Sequence, residues 1–156
     1  MPKRSAGILL HRRAAGGQVE VLLVHPGGPF WARKDAGAWS IPKGEYGDGD
    51  DPLAAARREF EEETGHAPPA DGLVELGTLR QAGGKLVRAW AAPGDLDPAT
   101  VTSNTFTMEW PPRSGRQREF PEIDKAAWFD LATARAKLVT AQAELLDRLV
   151  PTLGTS

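Results

Sequence analysis

Residues 51–65 constrain this chain more than any other stretch, because they specify both ends and one face of a helix. Asp51 is a good N-cap, and Pro52 suits the first helical position, where its missing N–H is no loss. Residues 52–64 are good helix formers, and Gly65 stands where a left-handed C-terminal cap belongs. At about 100° per residue, Leu53, Ala56 and Phe60 fall on one apolar face. That face has to pack inward. A chain of 156 residues can supply one ordinary domain to pack it against, and we take 1–156 as that domain.

The remaining segments read mostly as strands. Residues 5–10 and 19–24 are apolar runs on either side of a turn at Gly16–Gly17, and they suggest a hairpin. Residues 26–37 read as loop, residues 39–41 as a strand end stopped by Pro42, and residues 44–51 as a glycine-rich acidic loop. Residues 73–81 and 85–91 look like paired strands around Gly83–Gly84. Residues 104–110 alternate like another strand, and residues 125–129 like a short one. The tail from 131 to 150 reads as one helix with Leu138, Leu145 and Leu149 on a single face. Strands around a central helix, closed by a second helix, predict a mixed α/β sandwich.

Composition excludes several chemistries. The chain has no cysteine, which removes disulfides, thiolate nucleophiles and cysteine-based zinc sites. Its three histidines, His11, His25 and His66, are far apart in sequence, so any metal ligands should be oxygen. A net charge of −2 provides no general attraction to nucleic acid or acidic membranes. The apolar run at the N-terminus is too short for a signal peptide and no segment approaches a membrane span, so a cytoplasmic protein is expected.

The acidic residues of the helix are not equivalent. Glu59, Glu62 and Glu63 cluster on the stripe beside the apolar face, whereas Glu61 points to water. Three converging carboxylates repel one another unless a cation sits between them. Oxygen ligands at i, i+3 and i+4 suit a hard divalent ion such as Mg²⁺ or Mn²⁺, which lowers the pKa of water and neutralises charge on a leaving phosphate. Arg58, four residues before Glu62, is spaced to buttress it. Alone, such a run is more commonly a solvated helix face. Its fixed distance from Gly44 is what changes the weighting.

From Gly44 to His66 the chain resembles the Nudix hydrolase family. That family's signature runs glycine, five residues, glutamate, seven residues, then Arg-Glu-apolar-any-Glu-Glu-any-Gly-apolar. Gly44, Arg58, Glu59, Phe60, Glu62, Glu63 and Gly65 stand in register; Asp50 replaces the first glutamate and His66 the last apolar residue. The wider pattern, from Trp31 through Pro42-Lys43-Gly44 to Glu109–Pro112, resembles the bacterial group described as predicted NTP pyrophosphohydrolases.

The resemblance implies a Nudix-type α/β/α sandwich with a mixed β-sheet. It implies that Glu59, Glu62 and Glu63 ligate Mg²⁺ or Mn²⁺, joined by the backbone carbonyl of Lys43, with Arg58 and Asp50 in support. A carboxylate from a later loop often adds a ligand or general base; Glu122 is the candidate and Glu119 the next, and for Glu122 an ordinary loop carboxylate is an equal reading. The activity implied is divalent-metal-dependent hydrolysis of a diphosphate linkage in nucleoside triphosphates or related nucleoside diphosphate derivatives. Dinucleoside polyphosphates and diphosphoinositol polyphosphates are the alternative substrates, suggested by the Pro-Lys-Gly entrance. A catalytically weak nucleotide sensor is the rival of another class, favoured only by Asp50. Family members are often dimers, which admits a homodimer here.

Substrate contacts follow from aromatic and basic groups set side by side. Trp31 stands near Arg33 and Lys34, and Trp110 near Arg113, Arg116 and Arg118; a base joined to phosphate asks for such neighbours. Lys43, Gly44, Trp31, Arg33 and Arg116 are therefore the candidate substrate-binding residues, although the arginines as a group read first as solvated surface. Trp39, Trp90 and Trp128 lie in expected strands and should pack in the core, and His25 should be structural.

Overall fold

A computed structural model describes residues 2–153 of the chain; Met1 and residues 154–156, which the single-domain reading included, lie outside the described residues. Its centre is strand β1 (Arg4–Arg13), whose alternation sends Ala6, Ile8 and Leu10 to one face and Leu9 to the other. The expected hairpin forms: β2 (Val19–Pro26) runs antiparallel to β1, with His11 opposite Val21. Along the other edge β5 (Leu86–Pro93) lies parallel to β1, and β4 (Val74–Arg80) returns antiparallel to β5 around Gly83 and Gly84.

β2 pairs only with the His11–Arg13 end of β1. The Ser5–Gly7 end is taken by a short strand, β3 (Lys43–Glu45), in a stretch that reads as loop in the sequence. β8 (Ile123–Asp130) completes the sheet against β2, giving the order β4-β5-β1-β2-β8 with β3 also on β1. The sheet is mixed, as expected. Outside it stands a two-stranded sheet of β6 (Thr105–Glu109) and β7 (Gln117–Pro121).

Helices cover both faces. Helix α1 (Pro52–Thr64) packs Ala55, Ala56 and Phe60 against Ile8, Leu10, Leu22 and Trp90. Its ends are built as read: the Asp51 carboxylate accepts from Ala54 N–H at 3.0 Å, and Gly65 adopts φ 77°. On the opposite face, Leu9, Leu23, Trp39 and Val87 meet Leu138, Leu145 and Leu149 from the tail. Sheet and helices thus form the α/β/α sandwich. None of the helices among the described residues is long and apolar enough to cross a membrane.

The single tail helix expected over 131–150 does not form. α2 (Leu131–Lys137) stops, Leu138 is extended at ψ 146°, and α3 (Glu144–Leu149) restarts after a 3₁₀ turn. The cause is tertiary. Trp39 N–H donates to Lys137 O at 3.0 Å and Val139 N–H to Trp39 O at 2.8 Å, while the buried Gln142 side chain accepts from Ile41 N–H at 3.0 Å. Residues 39–41 have few strand partners, so the tail backbone gives up helical bonds to supply them. Leu138, Leu145 and Leu149 are buried nonetheless.

Two smaller corrections concern strands. β7 takes in Arg118 from the arginine-bearing stretch that reads as solvated surface, because its order comes from pairing with β6 and not from burial. Trp39 and Trp90 are core residues, but Trp128 is only half-buried, with Arg12 stacked 4.1 Å over its ring and its indole N–H donating to Leu96 O.

Phe60 is wholly buried between α1 and the sheet. Phe60→Ala is expected to cost about 3–5 kcal/mol, read as a lower urea midpoint at unchanged slope. A loss under about 1 kcal/mol would mean that this helix face is not what anchors α1.

Candidate active site

The site grows from the contact between β3 and α1. A Cβ added to Gly44 would stand 1.6 Å from Glu59 Oε1, so only glycine lets the Glu59 side chain lie across this strand. One turn further along α1, Glu63 Oε1 accepts the Lys43 N–H at 3.0 Å. Adjoining residues of β3 thus engage Glu59 and Glu63, one helical turn apart. The Gly7–Lys43 pair is non-hydrogen-bonded, since Ile8 N–H donates to Pro42 O, so the Lys43 carbonyl also faces away from β1, on the side of Glu63.

Electrostatics distinguishes the carboxylates. Burial pushes Glu63 up to about 8, opposed by the Lys43 N–H and ammonium and reinforced by the nearby charges of Glu122 and Glu59. Burial also raises Glu59, as do the charge of Glu62 and the hydrogen bond between these two carboxyl groups. The Lys43 ammonium is lowered by burial, with Glu63 acting against the shift. Glu62 and Glu61 are exposed. Arg58 does not buttress Glu62: its Nε lies 3.4 Å from Glu59 Oε2. Glu62 is turned to Glu59 by the hydrogen bond between their carboxyl groups, and the Arg58 guanidinium meets Glu59 instead.

Among the described residues, no three Asp, Glu or His side chains already close around one point. The expected convergence is therefore one of helix face: Glu59 and Glu62 lean together, while Glu63 is held by Lys43. Mutual repulsion accounts for the spread. In donor chemistry the set fits a hard divalent cation, since all its members are oxygens and the glycine at 44 leaves Glu59 its room.

Two cavities meet at these acids. A smaller one, about 210 Å³, is lined by Trp31, Lys43, Glu63 and Glu122, with Ser40, Gln81 and Gln142 among its polar walls. A larger one, about 550 Å³, is walled by Pro26–Trp31 on one side and by Phe106, Met108 and Glu122 on the other, with Glu63 at the junction. Glu122, Trp31 and Lys43, far apart in sequence, are thus brought together. Arg33 and Arg116 are exposed and line neither cavity; Arg116 sits near the turn of the β6–β7 hairpin, where its carbonyl accepts from Trp110 N–H. Glu119 is exposed on β7, opposite Thr107, and also lines neither. Asp50 bonds within its own loop, accepting Gly47 N–H at 2.9 Å, and Asp51 serves the helix cap.

Sequence reasoning missed Gln81, Gln142, Phe106 and Met108. The alternation of residues 104–110 puts Phe106 and Met108 on one face, but what that face meets depends on β7 and the Pro26–Trp31 loop. Gln142 carried no signal, because it lies within an apparently helical tail.

The family model described as NUDIX domain matches residues 1–149. The chain belongs to the Nudix family. With Glu59, Glu62 and Glu63 all present on α1, it is a Nudix pyrophosphohydrolase by class. No curated protein matches it in sequence. Among solved structures it is similar to a C. elegans Ap4A hydrolase in a binary complex, at 23% identity over 97% of each chain and a TM-score of 0.67. It is also similar to the Nudix domain of Shewanella oneidensis NrtR complexed with ADP ribose, at 16% identity, 99% of this chain and 90% of that one, TM-score 0.64. A mutT/nudix family protein from Listeria innocua shares 17% identity over 98% and 95% of the chains, TM-score 0.63. At such identities the likeness is one of fold.

The raised Glu63 value has a consequence for stability. The folded value of about 8 lies above the usual 4.5, so the folded chain holds an extra proton between them and loses stability as pH rises through that window. In EDTA, Glu63→Gln is therefore expected to flatten part of this loss. By pH 8.5 the variant should gain on the order of 1–3 kcal/mol relative to its deficit at pH 4. Urea unfolding across the range measures it; parallel curves for both proteins would refute the assignment.

Proposed function

We propose that the chain hydrolyses a diphosphate linkage in nucleoside triphosphates or related nucleoside diphosphate derivatives, in dependence on Mg²⁺ or Mn²⁺. The observation that carries the reading is the meeting of Lys43, Glu63, Glu122 and Trp31 in one cavity beside the acidic face of α1. Glu59, Glu62 and Glu63 would hold the metal with the Lys43 carbonyl. Once bound, it would neutralise charge on the phosphate and lower the pKa of an attacking water.

The chain's own groups do the rest. Lys43 is half-buried, so its ammonium meets a phosphate with less screening than a surface lysine would. Glu122 opens onto both cavities within electrostatic reach of Glu63, which suits a proton acceptor or an additional ligand. Arg58 steadies Glu59 through their 3.4 Å contact, and Gly44 keeps Glu59 against β3. Asp50 acts through the loop before α1.

The larger cavity supports a nucleoside in preference to an inositol. Its walls offer Phe30, Trp31, Phe106 and Met108, an apolar and aromatic lining that suits a flat uncharged ring better than a densely phosphorylated one. Trp31 contributes to that ring site; Arg33 and Arg116 would meet substrate only at its outer end. A second reading, dinucleoside polyphosphate cleavage, is favoured by the two cavities that meet at Glu63 and Glu122, one for each arm of such a compound. The partner is in either case a small phosphorylated solute, consistent with a cytoplasmic enzyme, and a homodimer is compatible with the chemistry.

Incubation with nucleoside triphosphates, diadenosine polyphosphates, nucleotide sugars and diphosphoinositol phosphates, with and without Mg²⁺ or Mn²⁺, tests the proposal by product analysis. Metal-dependent release of a nucleotide and pyrophosphate, or of two phosphorylated fragments, is expected. Glu62→Gln should lower kcat about a hundredfold or more. Metal-independent cleavage, or an unimpaired Glu62→Gln, would sink the mechanism; binding of nucleotide with no turnover would favour the sensor.

A further inference from the structure

His25 is wholly buried at the end of β2 and takes no part in the chemistry above. Its Nδ1 lies 2.8 Å from Asp124 Oδ1 and its Nε2 lies 2.6 Å from the Lys34 carbonyl. A carbonyl oxygen can only accept, so Nε2 carries a hydrogen toward Lys34, while Nδ1 is engaged by the Asp124 side chain. The Trp39 ring stands edge-on at 5.2 Å and shields the imidazole, while the Asp124 side chain remains about a third open to solvent. The other charges around this point are Lys125, set over Trp39, and Asp35, which accepts the Trp39 indole N–H and pairs with Lys137.

The two partners belong to the two walls of the larger cavity. Lys34 closes the turn that carries Trp31: its N–H donates to Trp31 O at 3.0 Å, and its ammonium sits 5.2 Å from the Trp31 ring. Asp124 follows Glu122 on the opposite wall. The walls also touch directly, since Gly27 N–H donates to Glu122 O at 2.8 Å and a Cβ at Gly27 would stand 2.0 Å from Pro121 O. With that contact at one end and His25 at the other, the Trp31 loop is held at two points.

We propose that His25 is a positioning residue: a buried ring, held by Asp124 at one nitrogen and by the Lys34 carbonyl at the other, that clamps the Trp31 loop to the start of β8 beside Glu122 and so sets the width of the cleft that receives the substrate's ring. The clamp stands on geometry alone; its bearing on activity rests on the function proposed above.

Long-range ¹H–¹⁵N spectra of the wild-type chain at pH 7.5 read the ring directly. A hydrogen on Nε2 of His25, bonded to the Lys34 carbonyl, is expected, and an Nε2 without one would overturn the clamp. His25→Gln keeps one donor and Asp124→Asn removes the charged partner while keeping its shape. In each, amide exchange over residues 30–36 should quicken on the order of tenfold to a hundredfold, and unchanged exchange in both overturns the proposal. With the nucleotide that the wild type cleaves, KM should rise about tenfold or more and kcat should change little. A fall in kcat at constant KM would refute the role in positioning. A wild type that turns over nothing would sink the proposed function, and the spectra and exchange rates would still decide the clamp.

Discussion

The bare Cα of Gly44 under the Glu59 side chain is the contact on which the rest of the site depends. It brings β3 and α1 close enough for the backbone of Lys43 to reach Glu63 one turn later. It also explains in steric terms why a glycine must stand so far before an acidic helix. Any side chain at 44 would occupy the place of the Glu59 carboxylate, which would have to swing off the strand.

Bringing acids together at a half-buried seam carries an electrostatic cost, seen in the upward shifts of Glu63 and Glu59. The fold opposes that cost in two ways: an N–H and an ammonium from Lys43 at Glu63, and a guanidinium from Arg58 at Glu59. A divalent cation would oppose it more strongly than either. The same arrangement that burdens the folded state is thus what suits the site to a metal and a polyphosphate.

The acidic helix was legible from local chemistry. Asp51, Pro52 and Gly65 bound it, and helical phase separated Glu59, Glu62 and Glu63 from Glu61. The central hairpin and the β4–β5 pair were legible for the same reason, since their turns and alternation lie within the segments themselves. The tail was not. Its leucines were rightly assigned to the core, but the backbone of Lys137 and Val139 was needed to pair with Trp39, a requirement raised elsewhere in the chain. Arg58 shows the same limit on a smaller scale, because i,i+4 spacing permits a contact with Glu62 whereas the guanidinium meets Glu59.

By itself, then, the sequence determined the helix, its acidic stripe, the family and the class of reaction, because spacing along a helix is a property of the chain and register with Gly44 survives any detail of packing. Tertiary structure alone decided what surrounds the acidic residues. Glu122 comes within electrostatic reach of Glu63, Trp31 lines two cavities, and Arg33 and Arg116 stay outside both. Those relations are between segments remote in sequence, set by how β8 and the Pro26–Trp31 loop meet. The contact of Gly27 with Pro121 and Glu122, and the grip of His25 on Asp124 and Lys34, are close-range events that exist only once the sheet has closed.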